Sequence, residues 1–167
     1  MERRPSRIEQ TITTLSAAGI RFVVVGGVAI VLHGHLRATV DLDLVLDLEP
    51  ANVLAALRAL EQSGLKPLVP VDAALFADPT MREAWMRERN MIVFSLRDPD
   101  DFRSTVDLFL RDPLPFDELF GAAVVVSLGE TTFRIASRSH LIAMKHQAGR
   151  PQDLADIEAL LELGGDA

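Results

Sequence analysis

Apolar and polar positions along this chain fall into two periods, one near 3.6 residues and one of two, and the changes between them mark out the elements. Ile8, Ile12 and Leu15 recur at helical spacing, Ser6 stands where a cap is needed and Gly19 follows, so a helix is expected over residues 6–18. Residues 20–25 are β-branched or aromatic and predict a buried strand. Gly26-Gly27 then turns the chain, and residues 28–32 suit a short helix ended by Gly34. Residues 40–47 alternate: Val40, Leu42, Leu44 and Leu46 face one way, and Asp41, Asp43 and Asp47 face the other together with Val45. That pattern predicts a strand with one core face and one wet face.

Further along, residues 51–62 read as a helix stopped by Gly64, and residues 79–89 as another. Residues 91–96 and 105–110 read as strands, residues 116–120 as a short helix, and residues 123–128 and 131–135 as a hairpin across Gly129. Two helices close the chain, over residues 138–148 and 152–163. Gly149 separates them, Pro151 suits the first turn of the second and Gly164 ends it. Leu154, Ile157, Leu160 and Leu161 are expected to form the buried stripe of that last helix. Trp85, between Met81 and Met86, is expected in the core rather than as a base-stacking platform. Strands and helices intermix without the strict alternation of a doubly wound sheet, so the expected class is α+β: a mixed sheet with flanking helices and a helical C-terminus. No repeat, low-complexity tract or long linker divides the chain. One domain over residues 1–167 is expected, with a core over about 20–136 and C-terminal helices over about 138–164.

Composition narrows the chemistry. With 49% hydrophobic residues the chain can fill a core without staples. Cysteine is absent, which removes disulfides, thiolate metal sites and cysteine nucleophiles, and suits a reducing cytoplasm. The basic start, Met1-Glu2-Arg3-Arg4, has no apolar stretch behind it, and no run reaches the roughly 20 apolar residues of a membrane helix, so neither a leader nor a membrane partner is expected. A net charge of -7 argues against holding nucleic acid chiefly by phosphate attraction. Arg82, Arg87 and Arg89 could form a local basic patch, or simply the solvated face of a helix.

The informative stretch runs over residues 24–45. Asp41 and Asp43, two apart on a strand, project from the same face. Two like charges held close repel unless a cation lies between them, and carboxylate oxygens are hard ligands suited to Mg²⁺ or Mn²⁺. Asp107, an acid in the apolar run Val106-Asp107-Leu108-Phe109-Leu110, is the candidate third ligand, because an acid in such a strand needs a partner. Three carboxylates from neighbouring strands can share two ions at the spacing used for in-line phosphoryl chemistry. Gly26 and Gly27 let backbone approach a phosphate closely, and a helix begun at Val28 would aim N–H groups at phosphate oxygens. Alone, a glycine pair is usually a turn and Asp-x-Asp a wet strand face; the combination carries the signal. His33 and His35 bracket Gly34, but with no thiolates near they are expected as turn residues, and neither His140 nor His146 is expected to bind metal.

On these residues the chain resembles the nucleotidyltransferase superfamily related to DNA polymerase beta, and more closely its small bacterial branch that includes abortive-infection toxins. That branch commonly carries Arg-x-Thr-x-Asp-x-Asp, here Arg37-Ala38-Thr39-Val40-Asp41-Leu42-Asp43, and a C-terminal lysine, arginine and aspartates, here Lys145, Arg150, Asp153 and Asp156. The chain departs from the commoner serine at the second glycine position, where it has Gly27. The resemblance implies transfer of a nucleoside monophosphate from a nucleoside triphosphate to an acceptor hydroxyl, with Mg²⁺ or Mn²⁺, two ions, as cofactor. Asp41, Asp43 and Asp107 would be the metal-binding catalytic acids. Gly26, Gly27, Thr39, Lys145, Arg150 and Asp153 would contact the nucleotide, with Lys145 on the triphosphate and Asp153 orienting Lys145 or Arg150. It further implies the toxin of a toxin–antitoxin pair with a cognate antitoxin, and an acceptor that is a tRNA, a protein or a small molecule. Two other readings stand beside it: a catalytically inactive module of the same fold that binds a nucleotide or a partner protein, and a glycosyltransferase, whose Asp-x-Asp also binds metal.

Overall fold

The computed structural model describes residues 3–164, so the ends of the expected unit of 1–167 lie outside it. Its strands form one mixed sheet: β1 (Phe22–Val25), β2 (Leu42–Leu46), β3 (Lys66–Pro67), β4 (Val93–Asp98), β5 (Asp101–Phe109), β6 (Val124–Leu128) and β7 (Thr131–Ile135). Across the sheet the order is β3-β4-β5-β2-β1-β7-β6. β1 is antiparallel to β2 and parallel to β7, and β2 is parallel to β5, so the centre of the sheet is built from strands distant in sequence. The hairpins β4–β5 and β6–β7 flank that centre. The helices are α1 (Arg7–Ala17), α2 (Gly26–Leu32), α3 (Pro50–Gln62), α4 (Pro79–Arg89), α5 (Phe116–Gly121), α6 (Arg138–Ala148) and α7 (Pro151–Glu162). The class is α+β with a helical C-terminus, as the sequence pattern implied.

Local chemistry explains most boundaries. Ser6 and Glu9 form a reciprocal capping box that starts α1. Pro50 begins α3, which buries Val53, Ala56, Leu57 and Leu60, the spacing of one helical face. Asp78 caps α4 through the Thr80 N–H. Trp85 lies in the core, stacked on Phe94 with ring centroids 5.5 Å apart. No described helix is long and apolar enough to cross a membrane.

The structure differs from the sequence pattern at instructive points. α2 takes Gly26 and Gly27 into its first turn instead of starting at Val28. β2 spans only Leu42–Leu46, so Asp41 precedes the strand and Asp47 follows it. Val45 is fully buried beside its register partner Val23, which confines the wet face of β2 to the Asp43 end. β5 begins four residues earlier than expected, at Asp101, because the hairpin with β4 extends through residues whose side chains are polar or exposed. The two-residue β3 and a 3₁₀ turn over Ala73–Ala77 had no periodic signal to announce them. Arg82 is buried and donates to the Phe76 carbonyl at 2.6 Å, so it belongs neither to a basic patch nor to a solvated helix face. In α7 the buried face is Asp153, Asp156, Ile157 and Leu160, while Leu154 and Leu161 are exposed, the reverse of the expected stripe at those positions.

Candidate active site

The acids meet where the chain's two central strands run parallel. In the β2–β5 pair Asp43 and Asp107 are register partners, so both side chains leave the same face of the sheet on adjacent strands. Asp107 is held from the protein side: the hydroxyls of Ser95 and Thr105 both donate to its Oδ1, at 2.7 and 2.8 Å. Asp41 is held too, its Oδ1 accepting the Thr105 N–H at 2.9 Å. In both carboxylates the second oxygen, Oδ2, takes no donor from the described residues. Asp43 accepts no hydrogen bond there at all. Burial, then the charges of Asp107 and Asp41, push its pKa up to about 6, and Lys145 and Arg150 only partly offset them.

Close packing on the glycines completes this end of the site. Gly26 has φ +66, and a Cβ there would sit 2.1 Å from Asp43 Oδ2, so glycine is required twice over. Gly27 lies against Thr39, whose Oγ1 would be 2.7 Å from a Cβ at that position. Thr39 belongs to the segment that leads from α2 into β2, and so does Arg37.

The cations come from the C-terminal helices. Lys145 on α6 bridges two acids of α7, Asp153 at 3.1 Å and Asp156 at 3.0 Å. Arg37 reaches the same Asp156 at 2.5 Å, and Arg150 closes the other end of the row on Asp153 through Nε at 3.0 Å. Three cations thus share two buried carboxylates, which leaves one positive charge over, and two of the three, Lys145 and Arg150, act on Asp43. Asp153 is wholly buried. Burial alone would raise its pKa, but donors from Arg150 and Lys145 outweigh it and hold the carboxyl at about 2.

The nine residues singled out from the sequence therefore fall into two neighbouring groups: Asp41, Asp43 and Asp107 with Gly26, Gly27 and Thr39 beside them, and Lys145, Arg150 and Asp153 in a charge row whose two cations act on Asp43. Among the described residues no three acidic or imidazole side chains stand close enough to enclose an ion as they are. The donor set nevertheless fits a hard divalent cation. The outer oxygens take no donor, and Asp43 is a crowded carboxylate with no donor, among the described residues. Ser95, Thr105, Arg37 and Asp156 join the site through contacts for which the sequence pattern predicts no role. Ser95 was unreadable because it faces Asp107 only through the hairpin register. Asp156 had a signal, an acid three residues from Asp153 and therefore on the same face of α7. His33 bonds the Ala136 carbonyl through Nε2 at 2.8 Å, a structural role. Two surface depressions, one beside β3 and one between Phe22 and β6–β7, contain none of the nine residues.

A protein-family model described as "Nucleotidyl transferase AbiEii toxin, Type IV TA system" matches residues 11–167. Among solved structures, the chain is similar to the lincosamide antibiotic adenylyltransferase LnuA in its lincomycin-bound crystal structure, with a TM-score of 0.60 and 16% identity over 98% of this chain and 100% of that one. At that identity the likeness speaks for the fold. No curated protein sequence matches the chain.

Proposed function

This chain belongs to the family of AbiEii nucleotidyltransferase toxins of type IV toxin–antitoxin systems, and on that premise we propose that it is an active enzyme carrying a nucleoside monophosphate from a nucleoside triphosphate to an acceptor hydroxyl. The observation that supports this best is the in-register pair Asp43 and Asp107, with Asp43 lacking a donor among the described residues. Asp41, Asp43 and Asp107 would hold two divalent cations, Mg²⁺ or Mn²⁺. Such ions, when bound, offset the charge of the triphosphate and of the oxygens between which the phosphoryl group moves.

The chain's own residues divide the remaining work. Lys145 and Arg150, whose charges act on Asp43, would meet the triphosphate; Asp153 holds both and Asp156 holds Lys145. Gly26 and Gly27, which carry no side chains, make room for Asp43 and Thr39 against the start of α2, where the triphosphate would lie. Asp107 is fixed through Oδ1 by two hydroxyls, so Oδ2 is the atom that accepts the proton of the acceptor hydroxyl. The acceptor oxygen then bonds to the α-phosphorus, the bond to the β-phosphate oxygen breaks, and pyrophosphate leaves with that electron pair.

The acceptor is a tRNA, a protein or a small molecule, and a cognate antitoxin accompanies the enzyme. The lincomycin-bound neighbour lends the small-molecule case a precedent for the fold. The test is to supply each α-labelled nucleoside triphosphate to a cell lysate with wild-type protein or Asp43→Ala. Label is expected on one acceptor class with wild type and absent with the variant; label that survives the substitution would sink the assignment.

A further inference from the structure

The depression between Phe22 and the β6–β7 hairpin has a volume of about 290 Å³. It lies where the pairing of β1 with β7 stops. Those two strands run parallel and meet in register at Val24 and Ile135. Two residues earlier on each strand, Phe22 and Phe133 line the depression, and Ile20 joins them. All three are buried, so the wall they form is apolar and set by the core behind it. Phe120 of α5 adds a further ring. The catalytic acids gather at the other end of β1, beyond Val25. Three residues of strand, about 10 Å, separate the two ends.

Two polar groups share this lining, and both have donors to spare. Ser16, in the last turn of α1, has a buried hydroxyl oxygen with no hydrogen-bond partner among the described residues. Such a group costs stability unless something meets it. The Arg134 guanidinium lies 4.3 Å from the centroid of the Phe120 ring. Its Nη1 reaches the Phe120 carbonyl only at 3.4 Å, and among the described residues it forms no salt bridge. Arg21 makes the contrast plain. It stacks on the same ring at 5.0 Å, but Asp47 and Asp117 meet its charge. One cation on Phe120 is thus neutralised and the other is not.

We propose that this depression binds a small monocarboxylate with a flat apolar body. The body lies against Ile20, Phe22 and Phe133. The carboxylate takes N–H donors from Arg134, whose planar fork matches it, and the Ser16 hydroxyl supplies a further donor. An apolar lining with a few polar groups is the usual make-up of a small-ligand site, and this volume suits a small ligand. A single cation among apolar walls is too little charge for a triphosphate. The site is therefore separate from the nucleotidyl-transfer centre and does not depend on that reading.

The test is titration of the full chain with 3-phenylpropionate, followed by two-dimensional NMR, with chelator present and no added metal. Saturable binding is expected with a dissociation constant below about 1 mM, and the shifted amides are expected to centre on Ser16, Phe133 and Arg134. 3-Phenylpropanamide, which keeps the ring and loses the charge, is expected to bind at least about tenfold more weakly, as is propionate, which keeps the charge and loses the ring. Arg134→Gln is expected to weaken binding of the acid about tenfold and Ser16→Ala about threefold, with melting of each variant to confirm folding. The proposal is overturned if the acid fails to saturate by about 10 mM, if the amide binds as well as the acid, or if the shifts centre on Lys145 and Arg150 instead. Equal binding by wild type and a folded Arg134→Gln would overturn it as well. Should that variant not fold, the comparison of acid with amide on wild type decides.

Discussion

A carboxylate taken out of water stays ionised only if something donates to it, and the two ends of this site answer that demand oppositely. Asp153 is saturated: Lys145 Nζ and the Nε, Nη2 and backbone N–H of Arg150 all reach it, at 3.0–3.3 Å. Its folded-state pKa, about 2, lies below the ordinary 3.8, so its contribution to stability is present above pH 4 and fades as pH falls toward 2. The depression corresponds to about 2 kcal/mol. Asp153→Asn is therefore expected to melt well below wild type from pH 5 to 8. The gap should narrow below pH 4, which calorimetric melting across that range checks; a gap that stays constant into acid would refute the ionic account. From sequence, Asp153 could orient either Lys145 or Arg150. The sequence could not choose, because the choice depends on Lys145 arriving from another helix.

At the scale of the element, α7 shows where periodicity misleads. Four apolar residues at near-helical spacing suggested the buried stripe, but helical geometry allows a face shifted by one residue, and the acids decided between them. Burying Asp153 and Asp156 against Lys145, Arg37 and Arg150 turns Leu154 and Leu161 outward, at 61% and 63% exposure. The substitutions Leu154→Glu and Leu161→Glu are accordingly expected to change stability by no more than about 0.5 kcal/mol. Ile157→Ala is expected to cost about 2–4 kcal/mol. Chemical denaturation of the three variants measures this directly, and a large loss at Leu154 would restore the original stripe. Elements made by local signals were legible: α1 through Ser6 and Glu9, α3 through Pro50 and its apolar face, the β6–β7 hairpin across Gly129. The first half of β5 was not, because its pairing with β4 is carried by backbone while Phe102 and Arg103 stand in solvent. The extended run into β2 was hidden in the same way. Its order comes from Arg37 and Asp41 gripping distant partners, and no contrast of apolar and polar residues marks it as half-buried.

For the whole molecule, the sheet order has an energetic consequence. Placing β2 between β1 and β5 buries both faces of its middle, and leaves Asp43 at the margin of a sealed core with two other acids near it. The folded state without cations thus carries a repulsion that the unfolded chain escapes, since there the three carboxylates separate into water. A ligand that binds only the folded state adds stability by mass action, about 2.7 kcal/mol at one hundred times its dissociation constant. For a domain of this size that is roughly 5–10 °C in melting temperature. Two opposite effects of Asp43→Asn follow. In the presence of a chelator the variant is expected to melt above wild type, because one of the crowded charges is gone. As Mg²⁺ or Mn²⁺ is added with a nucleoside triphosphate, wild type is expected to rise with concentration and the variant to stay nearly flat, so that the two curves cross. The crossing is the diagnostic feature: a general salt effect would move both proteins together. A wild-type melting temperature that ignores divalent cations would leave Asp43 as a crowded acid with no ionic role, and the division of labour among Asp41, Asp43 and Asp107 would have to be abandoned.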